Sequence, residues 1–114
     1  MTRELVPVLL LLALGCASTP TYALTAARGA SREPRPADCH VTILDSNPDR
    51  PFDVIGRLEA VSHPFYTPTA GSEEELYSLV RTQVCQLGGD AVVAHADDLG
   101  RYWGGPVVRY SDVK

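Results

Sequence analysis

The chain has 114 residues, of which 45% are hydrophobic and 21% charged, and its formal net charge is −4. This length accommodates a single domain, and the acidic balance argues against a nucleic-acid-binding protein, which normally presents a basic surface. The hydrophobic fraction is too high for a wholly disordered chain, and three cysteines are too few for a disulfide-rich scaffold.

The N-terminal segment has the features of an export signal. A short polar stretch with one basic residue, Arg3, precedes ten mostly apolar residues from Leu5 to Leu14. As a helix these residues would rise about 15 Å, against a hydrocarbon core of about 30 Å, so a transmembrane span is not expected. The segment therefore predicts a cleavable signal at residues 1–15.

The end of this segment resembles the lipobox of bacterial lipoproteins. The pentapeptide LALGC ends at Cys16, at the close of the apolar run. The resemblance implies that Cys16 carries acyl chains, palmitate included, and becomes the first residue of the mature protein. Ala17 resembles a sorting signal for the cell outer membrane, with the chain facing the periplasm. The alternative is an ordinary secretory signal with an incidental cysteine.

The next segment predicts a tether. Residues 16–37 are dominated by small, polar and proline residues, and no apolar periodicity runs through them. A segment of this composition has little apolar surface to bury, so we expect a disordered tether that begins at the lipidated Cys16. The folded domain is then predicted to span residues 38–114.

Four strands are predicted in the folded domain. Runs of β-branched and apolar residues, bounded by turn-forming residues, place them at Cys39–Leu44, Phe52–Val61, Asp90–Ala94 and Pro106–Tyr110. In the second strand, the alternation of side chains predicts that Phe52, Val54, Leu58 and Ala60 share one face. Gly56 lies between them and indicates a bulge.

One helix is predicted between Ser72 and Gly88. In a capping box the Ser72 side chain accepts from the Glu75 amide, and Glu75 reaches back to the start of the helix. Gly88 and Gly89 end the helix through a left-handed conformation. An apolar stripe at helical spacing contains Leu76, Leu79, Val80, Val84 and Leu87. The order β-β-α-β-β predicts an α+β domain with the helix packed on a small sheet.

Two stretches of the domain resemble a group of envelope proteins. Phe52–Glu59 and Leu79–Val93 are similar to the small bacterial lipoproteins that include the envelope-stress sensor of the Rcs pathway, and to YbjQ-like domains. The resemblance implies the same core fold, a location in the envelope and a role in envelope stress sensing. The extra cysteines that the Rcs sensor carries between its last strands have no counterpart in residues 99–105.

Side chains that are capable of catalysis or metal binding are scattered along the chain. Ser62 and His63 are adjacent, but no nucleophile elbow surrounds them, so catalysis is not expected. The glutamates at 73–75 are better explained by a favourable interaction with the positive end of the helix dipole than by a catalytic carboxylate site.

The potential metal ligands do not have the spacing of a known metal-binding motif. They are Cys39, His40, His63, Cys85, His95, Asp97 and Asp98. No enzyme, cofactor or metal site is therefore predicted. Because some YbjQ-like domains are described as heavy-metal binders, a periplasmic metal-binding protein is the alternative function.

Tyr102 and Trp103 place two large aromatic side chains in a loop. They can form a partner contact, because Tyr and Trp are enriched among interface anchors, or they can fold back over the small core. The sequence predicts a binding or sensory module without catalysis, anchored in the envelope through Cys16. Its expected partners are membrane lipid and an unidentified envelope protein, and no nucleic acid.

Cys39 and Cys85 are expected to form a disulfide once Cys16 carries lipid. They are then the two remaining thiols, and the compartment beyond the inner membrane is oxidising. A domain this small also gains from a covalent staple. On the helical wheel Cys85 lies nearly opposite Leu76, away from the apolar stripe, so Cys39 has to reach it across the outer side of the helix. Two free thiols are the alternative.

Overall fold

A computed structural model describes residues 19–29 and 33–111. The signal at residues 1–15 and the lipidated Cys16, both predicted above, lie outside the described residues. The predicted α+β class is confirmed, with one strand more than predicted. In chain order the described elements are β1 (Tyr22–Ala26), β2 (Thr42–Leu44), β3 (Phe52–Ala60), α1 (Glu73–Leu87), β4 (Ala91–Val93) and β5 (Gly104–Tyr110).

The strands form one mixed sheet in the order β1-β3-β5-β4-β2. β2 and β4 are parallel, and the other neighbouring strands are antiparallel. α1 packs on one face of this sheet and forms the main core with it. Fully buried members of this core include Leu58, Leu76, Val80, Val84, Val92 and Val107.

The segment predicted as a tether contains strand β1. Tyr22–Ala26 pairs antiparallel with β3, and only 2% of Tyr22 is exposed. For the residues described in this segment, 19–29 and 33–37, this strand corrects the prediction of a disordered tether over residues 16–37 and of a domain that starts at 38. Its apolar content is low because Tyr22 and Leu24 alone point toward the core side, while Ala23 and Thr25 are exposed.

Residues 33–41 lie along α1 before they enter β2. The amide of Arg35 donates to the carbonyl of Cys85 at 2.8 Å, and the Arg81 guanidinium donates to the carbonyls of Asp38 and Cys39. Arg35 also forms an ion pair with Asp90 at 2.9 Å. These contacts explain why this proline-rich stretch is ordered.

A bulge in β3 reverses the phase of its side chains. The register with β5 shifts between Val54 and Gly56, so Ile55 is the extra residue of the bulge. Its side chain is only 1% exposed and lies in the main core with the residues of the helix. The predicted bulge at Gly56 is therefore confirmed to within one residue. The single face predicted for the whole strand is wrong: Val54 is 51% exposed and Phe52 joins a separate cluster, whereas Leu58 lies in the main core.

The predicted boundaries of the helix are confirmed. The Ser72 hydroxyl accepts from the Glu75 amide at 3.1 Å, and Gly88 ends the helix with φ +92°. The Glu75 carboxylate reaches back to the Gly71 amide at 2.7 Å. Leu76, Val80 and Val84 of the predicted stripe are fully buried, and Leu79 and Leu87 are partly buried. Within residues 19–29 and 33–111, no helix has the length and apolar character needed to cross a membrane.

Candidate functional site

Two loops and one strand start meet at one end of the sheet. β2, β3 and β4 run in one direction and β1 and β5 in the other, so the ends of β3 and β4 lie beside the starts of β1 and β5. The loops at this end are residues 61–72, between β3 and α1, and residues 94–103, between β4 and β5. The helix also starts here, because it follows the first loop directly.

Tyr22 and Tyr102 join the strand start to both loops. The Tyr22 hydroxyl donates to the carbonyl of Tyr102 at 2.5 Å and accepts from the Ala70 amide at 2.8 Å. Burial raises the pKa of this phenol, while the Ala70 hydrogen bond acts in the opposite direction. The Tyr102 amide in turn donates to the Ala70 carbonyl at 2.9 Å.

Arg101 adds a second link between the loops. Its Nε donates to the hydroxyl of Thr69 at 3.0 Å, and its terminal nitrogen donates to the Thr69 carbonyl. Thr69 is 4% exposed, so these hydrogen bonds satisfy a buried polar residue. The two loops therefore form one connected unit.

Asp97 organises the loop before β5. One carboxylate oxygen accepts from the amides of Leu99 and Arg101, each at 2.9 Å, and the other accepts from the indole N–H of Trp103 at 2.7 Å. The Arg101 amide and then the Trp103 indole are the largest causes that lower the pKa of Asp97. The carboxylate thus fixes the orientation of a tryptophan that is 50% exposed.

The two predicted contact residues take different places. Tyr102 is partly buried against the main core, which corresponds to the interpretation that the loop folds back. Trp103 keeps half of its surface in solvent. Trp103 is consequently the residue of this pair that is able to contact a partner with its side chain.

Most large exposed apolar side chains of the described residues lie on these two loops. Phe65 is 96% exposed and Leu99 84%, and the Tyr66 ring stacks on His63 with centroids 5.3 Å apart. Of six large hydrophobic residues exposed in the described part of the chain, the exception is Val54, near the opposite end. We call the other five the apolar end: Val61, Phe65, Tyr66, Leu99 and Trp103.

A groove runs beside Trp103. It has a volume of about 410 Å³ and is flanked by His95, Ser62 and the exposed ion pair Arg57–Glu59, whose atoms are 3.4 Å apart. Its lining includes Gly104 and Gly105, at φ +132° and +153°. At Gly105 a Cβ would lie 1.9 Å from the Val93 carbonyl oxygen, so this close strand approach requires glycine.

The predicted disulfide is present at the other end of the domain. Cys39 and Cys85 are joined, with Cα atoms 5.9 Å apart. Cys85 lies nearly opposite Leu76 on the helical wheel, off the apolar stripe as predicted, yet it is completely buried. Residues 33–41 cover that side of the helix, and the sequence periodicity of α1 alone contains no information about them.

The structure does not assemble the potential metal ligands. The sulfurs of Cys39 and Cys85 are bonded to each other, while His40 lies near Tyr77 and His63 on Tyr66. In the described residues no group of three His, Cys, Asp or Glu side chains could hold a metal ion. The Ser62 hydroxyl accepts from that of Thr67 at 3.0 Å.

No protein-family model, curated protein or solved structure matches this chain. The resemblances to lipoproteins and to the Rcs sensor therefore stay predictions from the sequence. Sequence reasoning missed the roles of Tyr22 and Asp97, which hold the two loops, and of Phe65 and Leu99, which are exposed on them. Two signals in the sequence indicate such roles. Tyr22 and Leu24 alternate with small or polar residues, as in a strand with one buried face, and Asp97 precedes Gly100 in a tight loop.

Proposed function

We propose that this chain is a lipid-anchored envelope protein whose folded part is a binding module without catalysis. The single observation that carries the proposal is the apolar end, where five large apolar side chains are exposed on two adjacent loops. Large apolar side chains that are exposed together at one end of a small domain are characteristic of an interaction site. Cys16 supplies the anchor in this proposal, on the strength of the lipobox resemblance.

The hydrogen bonds that connect the loops support a binding role. Hydrogen bonds made by Tyr22, Asp97 and Arg101 link β1 and the two loops to one another. A surface that is ordered before binding loses less conformational entropy when a partner docks. Exposed aromatic residues in such a setting are favourable binding anchors.

The disulfide supports the proposed compartment. Cys39 and Cys85 are bonded, and disulfides persist in oxidising compartments such as the periplasm and are rare in the cytosol. A metal-binding role gains no corresponding support, because the same bond withdraws both sulfurs from coordination. We therefore propose binding alone.

Site-specific photo-crosslinking in cells tests the binding role. A photoreactive residue at position 65 or 99 is expected to give a covalent adduct with an envelope component, protein or lipid. The matched control is position 54, where Val54 is 51% exposed near the opposite end of the sheet. Equal adduct yields at positions 54 and 65, or none at either, would contradict the proposal.

The anchor has its own test. Cys16→Ser should abolish incorporation of labelled palmitate and release the protein from the membrane fraction, since acyl chains supply the attachment. Cys39→Ser is the matched control and should keep both properties. Unchanged membrane retention in Cys16→Ser would remove the anchor from the proposal.

A further inference from the structure

We propose that the apolar end rests on the phospholipid surface in which Cys16 is anchored. The inference rests on the proposed function, specifically on acylation of Cys16. It assigns an occupant to the apolar end, namely the interface of a zwitterionic bilayer. A protein partner at the same residues is the competing outcome.

The described chain enters the domain at the apolar end. The carbonyl of Thr21 accepts from the amide of Val61 at 2.8 Å, and Tyr22 is bonded to the loop at Tyr102. The start of β1 therefore lies within the apolar end. An anchor that precedes β1 has to approach the domain from this side.

The segment between the proposed anchor and β1 is short. Tyr22 follows Cys16 by six residues. At an extended length of 3.3–3.6 Å per residue, this stretch spans at most about 22 Å. With β1 folded, an acylated Cys16 holds the apolar end within that distance of the membrane, whereas a tether reaching to residue 37 would have imposed no such orientation.

The exposed side chains are of the types that favour a membrane interface. Trp and Tyr favour the membrane–water interface, where an aromatic ring contacts the acyl boundary and a polar group stays hydrated. Trp103 fits this description because its indole N–H is bonded to Asp97 while half of the residue is exposed. Phe65 and Leu99 provide the purely apolar contacts, at 96% and 84% exposure.

The charges around the apolar end select the type of lipid surface. Asp97 and Asp98 are exposed beside Leu99, whereas the Arg101 guanidinium is engaged by Thr69. His63 and His95 are the other titratable side chains of the two loops besides Tyr66 and Tyr102. Since Arg101 is the one arginine or lysine of these two loops, attraction of the apolar end to anionic lipids is not expected. Docking should therefore occur on phosphatidylcholine and change little with salt.

The chain offers its own probe, because Trp103 is its single tryptophan. The full-length mature lipoprotein, purified from membranes, is reconstituted into phosphatidylcholine vesicles with or without bromine on the upper acyl carbons. We expect bromine to quench about half or more of the Trp103 emission, as for an interfacial tryptophan. Phe65→Ser together with Leu99→Ser should reduce this quenching at least about twofold, since apolar contact drives the docking.

A relocated tryptophan provides the matched control. In a Trp103→Phe background, Val54→Trp places the probe near the opposite end of the sheet, and we expect no quenching by bromine there. Flotation of the vesicles shows in the same sample that the protein is attached. Quenching at position 103 that exceeds quenching at position 54 supports the docking.

The other outcomes separate the two proposals. Protein that floats with the vesicles but shows no quenching at position 103 overturns the docking and leaves the anchored binding module standing. A protein adduct, without a lipid adduct, from a photoreactive residue at position 65 in cells has the same meaning. Protein that fails to float overturns the acyl anchor on which both proposals depend.

Discussion

The Tyr22 hydroxyl donates a 2.5 Å hydrogen bond to the backbone carbonyl of Tyr102, 80 residues further along the chain. The same oxygen accepts from the Ala70 amide, so one phenol connects β1 to both loops of the apolar end. This oxygen is the point where a strand that resembles a linker in sequence becomes part of the folded domain.

Tyr22→Phe should lower the free energy of unfolding by about 1–3 kcal/mol, because it leaves the buried Ala70 amide and the Tyr102 carbonyl without a partner. Urea denaturation of the oxidised protein measures the change. Tyr77→Phe is the matched control, since the described contacts of Tyr77 involve its ring. Equal stability of the two variants would show that the phenol does not hold the loops.

A chain that begins at Asp38 should be much less stable than one that begins at Thr19. It lacks β1 and Arg35, and with them the burial of Tyr22, the pairing with β3 and the ion pair with Asp90. A buried side chain of this size contributes about 1.5–3 kcal/mol, and a domain of this length has about 5–15 kcal/mol in total. Thermal melting of the two purified chains makes the comparison. Equal melting temperatures would show that β1 does not contribute to the stability of the domain.

How much of the fold the sequence predicts depends on how local the signal is. The helix was predicted closely because Ser72, Glu75 and Gly88 act on their own neighbours. β1 was missed because its burial depends on Tyr102 and Ala70, which are far away in sequence. The residues of the apolar end come from two separate loops, and it is the sheet topology that brings these loops to the same end of the domain.

Uniform periodicity gave the wrong face for part of β3 and gave no sign that Cys85 is buried. The bulge at Ile55 transfers the residues before it to the other face of the sheet, and a period of two cannot register that shift. Cys85 lies off the apolar stripe of α1, and it is buried because residues 33–41 fold over it. In both cases the missing information was a contact with another segment.

The orientation of Trp103 should depend on pH in the acidic range. Hydrogen bonds favour the charged form of Asp97 in the folded protein and lower its pKa from the ordinary value of 3.8. The stabilisation is therefore fully present above that value and is lost as the pH falls through the lower, folded pKa. Trp103 emission, followed from about pH 5 to about pH 2, should change with a midpoint below the ordinary carboxyl value.

Asp97→Asn should remove this transition, and Asp98→Asn is the matched control that should keep it, because the Trp103 indole is bonded to Asp97. A transition that persists in Asp97→Asn, or that has its midpoint above the ordinary value, would assign it to another group.

Reduction of the disulfide should lower the free energy of unfolding. Cys39 and Cys85 are separated by 46 residues, and the chain-entropy model gives about 4 kcal/mol for a loop of this length. The urea midpoint should fall on addition of reductant, and Cys39→Ala with Cys85→Ala should have a similarly low midpoint that no longer responds to reductant. Alkylation of both cysteines without reductant in native, oxidised protein would contradict the bond itself.

Leu76 and Leu79 should differ in their contribution to stability although both belong to the predicted apolar stripe. Leu76 is completely buried in the core, whereas Leu79 is partly exposed and packs at its margin. Leu76→Ala should therefore lower the free energy of unfolding by about 2–5 kcal/mol, through lost burial and the cavity that remains, and Leu79→Ala by clearly less. Urea denaturation of the two variants under the same oxidising conditions measures the difference. A larger loss for Leu79→Ala would mean that α1 is rotated about its axis relative to the sheet, with the other side of the stripe in the core.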